Sequence, residues 1–510
     1  MVWAVRTPIA LRKYATFMVA ICISLTLTQP VNASETVRMI LGDATPRTAI
    51  TASFSGGAGG ADVYLQPCTN IITSDCIRSV TYQIPGSAQW INLIPDQKIV
   101  FPTAGVPRFG SSPSVVTEML TAYSADSARN LPAGGMSPVY MAANSSGDNG
   151  VRYLVNVRAQ GALNTDKKVS WFDLRIEIRT VLISDYTTLN LFGFPTVKPI
   201  LTFENASKFK IQIQSQMTQN LFSGWFYGRV ASPEIKISTI NSSEKLVEIT
   251  GSPHTTYASQ GDIPLTKWAE IKAAMGGNFP SAPPANSVSF FEPTYGFANG
   301  LGAMNLWRLA SPLSLDKAVS SLEVFTIRTS KNTGVLKDYY PVGCQESQGF
   351  DGVVTTNATM YNPSPPIYEN KDQSLVFEVG SPHLDLGGNT IKGLYSLVLR
   401  DEIAKCIWGS DLTNYRASIS IIGDSGEAVL STSTLKLLDG FYYFQISGFT
   451  YSTKRISIRL SPEPKVIPSA QPSPTASAKP AVKSITCLKG KLKKVVSDVK
   501  PVCPKGYKTK

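Results

Sequence analysis

Charge is scarce in this chain. Asp, Glu, Lys and Arg make up 16% of its 510 residues, against about 25% in ordinary soluble proteins. Ser, Thr, Asn and Gln must then do much of the solvating, a habit that suits extracellular β-proteins. Histidine is scarcer still: the sequence holds two, His254 and His383. That shortage weakens any reading that needs a histidine base or a His-rich metal site. No CxxC pair occurs and no histidine stands beside a cysteine, so the usual zinc spacings are missing. Beyond the N-terminal region no apolar run approaches the roughly 20 residues that span a bilayer, and no LPxTG sorting motif appears.

What the N-terminus does hold is an export signal. Arg6, Arg12 and Lys13 form a basic region ahead of the apolar run YATFMVAICISLTL, and Val31-x-Ala33 supplies the small residues of a cleavage site. The expectation is a signal peptide over residues 1–33, with no transmembrane segment in the mature chain. Cys22 lies inside the apolar run, which argues against a lipoprotein box. The net charge of +12 is unevenly placed. Residues 1–33 carry +3, and the tail from Val466 holds ten lysines against Asp498, or +9. Taking both away leaves a body of zero net charge. A nucleic-acid-binding fold needs a basic face on the domain itself, so no nucleic-acid partner is expected.

Cysteine usage agrees with export. Without Cys22 six remain: Cys68, Cys76, Cys344, Cys406, Cys487 and Cys503. An even number in an oxidising compartment reads as disulfides. Fifteen pairings are open in principle, and proximity favours 68–76, 344–406 and 487–503.

Most of the body alternates polar and apolar residues, the period of half-buried strands. RYLVNVRA, DLRIEIRT, KFKIQIQS, PEIKIST, KLVEIT, SLVFEVG, ASISII and RISIRL all do so. Helical spacing is sparse. Trp268, Ile271 and Met275 predict a helix within Pro264–Gly277, and Ser314–Phe325 suggests another turn or two. Two stretches, Val151–Ser238 and Gln373–Ser461, follow one pattern: two strands, a hairpin, a Gly-aromatic-aromatic step and a closing strand. The expected fold is all-β, with two or more Ig-like β-sandwich domains and a short helical insertion. The expected boundaries are an N-terminal β domain at 34–240 holding the first copy, a connecting segment with short helices at 241–340 and a second sandwich at 341–463. A Pro/Ser/Ala linker at 464–484 and a Cys/Lys-rich module at 485–510 follow.

GSPHLDLGGNTIKGLYSLVLRDEIAKCIWG, the later LDGFYYFQISGFTYSTKRISIRL and the tail ITCLKGKLKKVVSDVKPVCPKGYKTK resemble a recurring type of actinobacterial secreted protein. DVYLQPCTNIITSDCIRSV fits the same type. The resemblance implies an extracellular, β-rich protein with a C-terminal Cys/Lys-rich module. It brings no catalytic or binding residues to carry over.

Several motifs invite an enzymatic reading. Gly423-Asp424-Ser425-Gly426 spells the nucleophile loop of trypsin-like proteases, but that site needs a histidine base and a buried aspartate. Neither histidine sits in that family's setting, and Asp-Ser-Gly between alternating strands is hairpin chemistry. Both histidines occur in GSPH tetrapeptides, yet two imidazoles alone do not complete a metal set. The pairs Asp173 with Glu177 and Glu378 with Asp385 could face each other as glycosidase acids do, and solvated strand residues would look the same. SGGAGGAD (Ser55–Asp62) lacks the Lys-Ser/Thr of a phosphate loop. No catalytic, cofactor or metal residue is expected. The expectation is a secreted or cell-surface protein that binds or scaffolds without catalysis. Its partner would be a cell-wall or extracellular polymer, or another surface protein. Trp225, Phe226, Tyr227, Tyr442 and Tyr443 are candidates for a contact face, or for core. In the tail, Lys489, Lys491, Lys493, Lys494, Lys500, Lys505 and Lys508 would meet anionic envelope polymer. The alternative is a secreted polysaccharide hydrolase using unidentified carboxylates.

Overall fold

A computed structural model describes residues 36–43, 50–51, 53, 60–98, 123–143, 151–183, 197–203, 206–216, 221–275, 289–291, 302–329, 344, 349–409, 412, 415–423, 428–433, 436–462 and 483–510. The expected signal peptide and most of the linker lie outside these residues. The chain divides into two compact units, Met1–Pro462 and Glu463–Lys510.

The first unit opens with β1 (Thr36–Leu41), β2 (Gly60–Tyr64), β3 (Cys76–Gln83), β4 (Ile91–Pro95) and the short β5 (Val139–Ala142). Two long strands follow, β6 (Val151–Leu163) and β7 (Val169–Leu182), then β8 (Lys198–Pro199) and β9 (Lys208–Gln216). Next come β10 (Gly224–Arg229), β11 (Ala231–Asn241), β12 (Glu244–Ser252) and β13 (His254–Pro264), leading into α1 (Trp268–Met275). Beyond it lie β14 (Ser289–Phe291), α2 (Gly302–Ala310), β15 (Ser320–Thr329) and β16 (Phe350–Thr356). Then follow β17 (Met360–Tyr361), β18 (Ile367–Glu369), β19 (Ser374–Gly380), β20 (Lys392–Arg400) and α3 (Asp401–Trp408). The unit closes with β21 (Tyr415–Gly423), β22 (Ala428–Ser433), β23 (Lys436–Leu438), β24 (Phe441–Thr450) and β25 (Thr453–Pro462). All eight alternating segments named from the sequence lie in strands, so the fold is mostly β.

One hydrogen-bonded ladder runs β11-β12-β9-β3-β4-β5-β6-β7-β15-β10-β16-β20-β24-β23. It turns back on itself, because Ile211, Phe209, Val247 and Val80 from its first part share a core with Val155, Ile176, Phe325 and Phe226 from its second. The Tyr443 hydroxyl on β24 ties the two ends together. It accepts from Ile235 N on β11 (3.0 Å) and donates to Ile235 O (3.2 Å).

The later part of the ladder, β10-β16-β20-β24, is buried on both faces. Phe226, Val353, Val398 and Phe441 point into that first core. Their strand neighbours Trp225, Tyr227, Val354, Leu397, Leu399, Tyr442 and Phe444 point into a second. Closing the second core is a separate sheet in which β19, β25, β21 and β22 pair in that order, together with α3. The architecture is therefore three stacked β layers with a shared central sheet. Gly352 makes room for Trp225 on the adjacent strand β10: a Cβ there would lie 2.8 Å from the Trp225 ring. A third core packs α1 and α2 against β1 and β13 through Trp268, Met304, Trp307, Met39 and Ile263.

This arrangement replaces the expected pair of equivalent sandwiches. In the first stretch β6 and β7 pair directly, whereas their counterparts β19 and β20 lie in different sheets. In the second, β20 pairs with β24, while the matching β7 and β10 are separated by β15. Parallel pairing of β10 with β16 also crosses the expected 240/341 boundaries. The shared pattern reflected amphipathic strands in general and not a common topology. The helix expected in Pro264–Gly277 is present as α1 behind a 3-10 turn at Leu265–Lys267. Ser314–Phe325 instead runs into β15, where Leu322, Val324 and Phe325 are all buried and the strand is paired on both edges, by β7 and β10. Trp225, Phe226, Tyr227 and Tyr442 are core residues, and Tyr443 is half-buried, so they form no contact face.

The second unit, by itself, is a three-stranded antiparallel sheet of β26 (Lys483–Lys489), β27 (Leu492–Asp498) and β28 (Lys508–Thr509), with β26 in the centre. Gly490, at φ 57°, and Lys491 form the tight turn between β26 and β27. So small a sheet needs a staple, and Cys487–Cys503 supplies it.

Candidate functional site

A groove opens where four connections of the first unit meet. One side is the end of α2 and the 3-10 turn Ser311–Leu313; the other is the segment leaving β19, Ser381–Pro382–His383. The floor is Ser259 on β13, and Ser452 and Thr453 at the start of β25 complete the lining, around about 200 Å³. Strand register fixes these neighbours, since Gly380 pairs with Thr453 and Gly261 bridges Ser314.

His383 and Asp316 sit together at the rim. The ring Nδ1 lies 2.7 and 2.9 Å from the two Asp316 carboxylate oxygens, and the His383 backbone N donates to the same carboxylate at 2.8 Å. An ionised carboxylate only accepts, so Nδ1 carries a proton in this contact. Nε2 makes no hydrogen bond among the described residues. The pair is held by bridges of Leu384 to Lys317 and to Thr390. Trp307 lies deeper, 3% exposed, with its indole N–H buried and unpaired among the described residues. It is fixed by α2, whose first turn is capped where Met304 N donates to Asn362 (3.0 Å). A Cβ at Gly380 would come within 2.3 Å of the Trp307 Nε1, so only glycine lets the ring seat.

The carboxylates named from the sequence are all engaged. Asp173 receives a forked contact from Arg328 (2.7–3.0 Å), and Glu177 lies between Arg175 (3.1 Å) and Arg179 (2.6 Å). Glu378 pairs with Arg308 at 2.5 Å. Asp385 accepts from Asn389 N at 2.8 Å within its own turn, and these bonds hold its carboxyl below the usual range. Asp173 and Glu177 belong to a buried ionic layer that also holds Arg152 with Asp96, 2.8 Å apart. Their strand positions answer to those arginines, not to a cleft.

The two GSPH tetrapeptides occupy different settings, one ending in the first residue of β13 and the other in the loop after β19. Both ring nitrogens of His254 are buried without a well-formed hydrogen bond. Burial, reinforced by the nearby Arg229 guanidinium, pushes this imidazole down to about 3, with the Thr356 backbone pulling weakly the other way. Among the described residues no group of three or more His, Cys, Asp or Glu could hold a metal ion. Asp424, Ser425 and Gly426 lie outside the described residues, as do residues 55–59 of the glycine-rich stretch. The strands flanking the former pair as a hairpin, Ile422 opposite Ala428, and Gly423 pairs with Lys454 beside the groove residue Thr453.

All three disulfides expected from proximity are present: Cys68–Cys76, Cys344–Cys406 and Cys487–Cys503. In the tail unit Lys489, Lys491, Lys493, Lys494, Lys500, Lys505 and Lys508 are all exposed. Alternation along β27 sends Lys493 and Lys494 to opposite faces.

Sequence reasoning missed the His383–Asp316 pair, whose members stand 67 residues apart. Only the fold brings them together. It also missed two carboxylates with raised proton affinity. Burial lifts Asp75 to about 6, against the bonds it accepts from Gln216 N and Ser215. Burial lifts Asp351 to about 7, with Arg400 opposing. Neither lies in the groove. No family model matches the chain, and no curated protein matches it.

Proposed function

We propose that this is a secreted binding or scaffolding protein of the cell exterior, retained in part by its C-terminal unit on anionic envelope polymer. The observation that carries the reading is the stapled unit itself. Seven exposed lysines stand on a disulfide-closed sheet at the end of a chain whose body has no charge excess. A closed loop of this size stabilises by about 3 kcal/mol in the chain-entropy model, which favours a fixed cationic surface over a loose solubilising tail. Three disulfides support an oxidising compartment, and no helix among the described residues is long and apolar enough to cross a membrane.

Export is tested by sequencing the N-terminus of protein recovered outside the cell. A start at Ser34 agrees with the proposal, and an intact Met1 contradicts it. Retention is tested by co-sedimenting isolated cell walls with the full-length protein and with a variant carrying glutamine at the seven lysines. The variant should stay in the supernatant. Equal sedimentation of both would remove the tail from this role.

A further inference from the structure

The stapled C-terminal sheet carries cations on both of its faces, and strand register assigns the sides. Ser484 pairs with Ser497, Thr486 with Val495 and Leu488 with Lys493. The two serine hydroxyls meet at 2.5 Å, so these side chains share one face. Lys508 stands beside Leu488 on the other strand and joins that face. Lys510, two residues on, follows it by alternation, its backbone N donating to Thr486 O at 2.9 Å. Val495 keeps 59% exposure there, so this face is open.

The opposite face holds Cys487, fully buried, and its disulfide to Cys503. Lys494 pairs with Cys487 and shares its side, as does Lys489, whose side chain runs beside Gly506. Lys500 and Lys505 flank Cys503 in the segment that the disulfide pins against this face, and all four lysines are exposed. The one acid of residues 483–510, Asp498, lies opposite Lys483, and its carboxylate accepts from Val499 N at 2.6 Å. Neither set of lysines has a side-chain carboxylate partner among the described residues.

From Val466 onward there are ten lysines and no arginine. A lysine ammonium is a point charge on a flexible stem, without the planar fork that matches a single carboxylate or phosphate. Such a surface follows the charge density of a chain and not the geometry of one group. The two sets of ammonium groups are separated by the thickness of a sheet, about 10 Å. The screening length at physiological salt is about 8 Å, so two polyanion chains held on opposite faces repel each other weakly.

We infer that the C-terminal unit is a two-sided bridge that joins two linear polyanion chains, one on each face. Lys493, Lys508 and Lys510 hold one chain, and Lys489, Lys494, Lys500 and Lys505 hold the other. The inference rests on the polymer retention proposed above and adds to it: the protein ties polymer strands together as well as being held by them.

A sandwich assay with full-length protein tests this. Biotin-ended inorganic polyphosphate on beads captures the protein, the beads are washed, and fluorescein-ended polyphosphate is then offered at low salt. Wild type should capture the second chain. Polygalacturonate in place of polyphosphate should behave alike, because charge alone is read. K493Q/K508Q/K510Q strips the open face and should keep the first capture while losing the second. K489Q/K493Q/K494Q removes the same charge but leaves lysines on both faces, and should keep both captures. All these substitutions lie at exposed positions, which the fold tolerates. Equal second capture by the two triple variants overturns the bridge, as does wild type that is captured but takes up no second chain; retention then stands alone. Wild type that is not captured at all removes the retention proposal as well. Capture of one polymer and not the other contradicts reading by charge. Clustering of phosphatidylglycerol vesicles without capture of either polymer assigns the surface to lipid and overturns the inference too.

Discussion

His254 gives the sharpest stability prediction. Its imidazole is held neutral, with proton affinity pushed from the ordinary 6.5 down to about 3 by burial and by Arg229. An unfolded chain takes up this proton as pH falls below 6.5, and the folded chain does not. Between those values the unfolded state binds more protons, so stability must fall with falling pH. The slope is about 1.4 kcal/mol per pH unit, which gives about 2–3 kcal/mol lost between neutrality and about pH 4.5. His254→Phe removes the titration while keeping a ring in the site. Urea unfolding of both proteins, with disulfides intact, at about pH 7.5 and about pH 4.5 reads the effect. Whatever fixed offset the phenyl ring brings, the variant should gain about 2–3 kcal/mol on wild type over that interval. A difference that stays constant with pH would show that His254 is not buried neutral and would refute the reasoning.

Asp351 should behave with the opposite sign. Its raised affinity, to about 7, makes the folded state bind the extra proton, so its contribution is lost as pH rises through that value. Asp351→Asn should gain about 2–3 kcal/mol on wild type between about pH 5 and about pH 8, read by the same unfolding assay. Trp225→Ala, at the shared central sheet, should cost about 3–5 kcal/mol in denaturant midpoints; a loss below about 1 kcal/mol would mean the two cores do not share that layer. Ser425→Ala should change stability by no more than about 0.5 kcal/mol, as a turn substitution does, and leave any activity intact; loss of a measurable hydrolysis would restore the protease reading.

Much of the secondary structure was legible because half-buried strands write their period into the sequence. KFKIQIQS and RISIRL could hardly be read otherwise. Cysteine proximity was a sufficient guide for Cys68–Cys76 and Cys487–Cys503, which close short local stretches; Cys344–Cys406 spans 62 residues and five strands and is the pair that remains. The layering was not legible. GWFYGR is buried on both faces, so it shows no alternation, and its parallel partner β16 is more than a hundred residues away. Aromatics there read equally well as a surface for ligands. The ionic layer of β6, β7 and β15 deceived in the other direction. Arg, Asp and Glu alternating along DLRIEIRT look solvated, yet Arg179 and Glu177 pair with each other inside the fold. The groove could not be foreseen, because Asp316 and His383 become neighbours only through the Lys317–Leu384 bridge.

Binding at the cell exterior through the C-terminal unit is most directly measured by co-sedimentation of the full-length protein with isolated cell walls across a salt series. Charge-driven retention weakens as the screening length falls from about 30 Å at 0.01 M to about 3 Å at 1 M salt. The protein should therefore be mostly bound at low salt and mostly released at high salt, while the seven-lysine variant stays unbound throughout. Retention that ignores salt, or that the variant shares, would contradict the account.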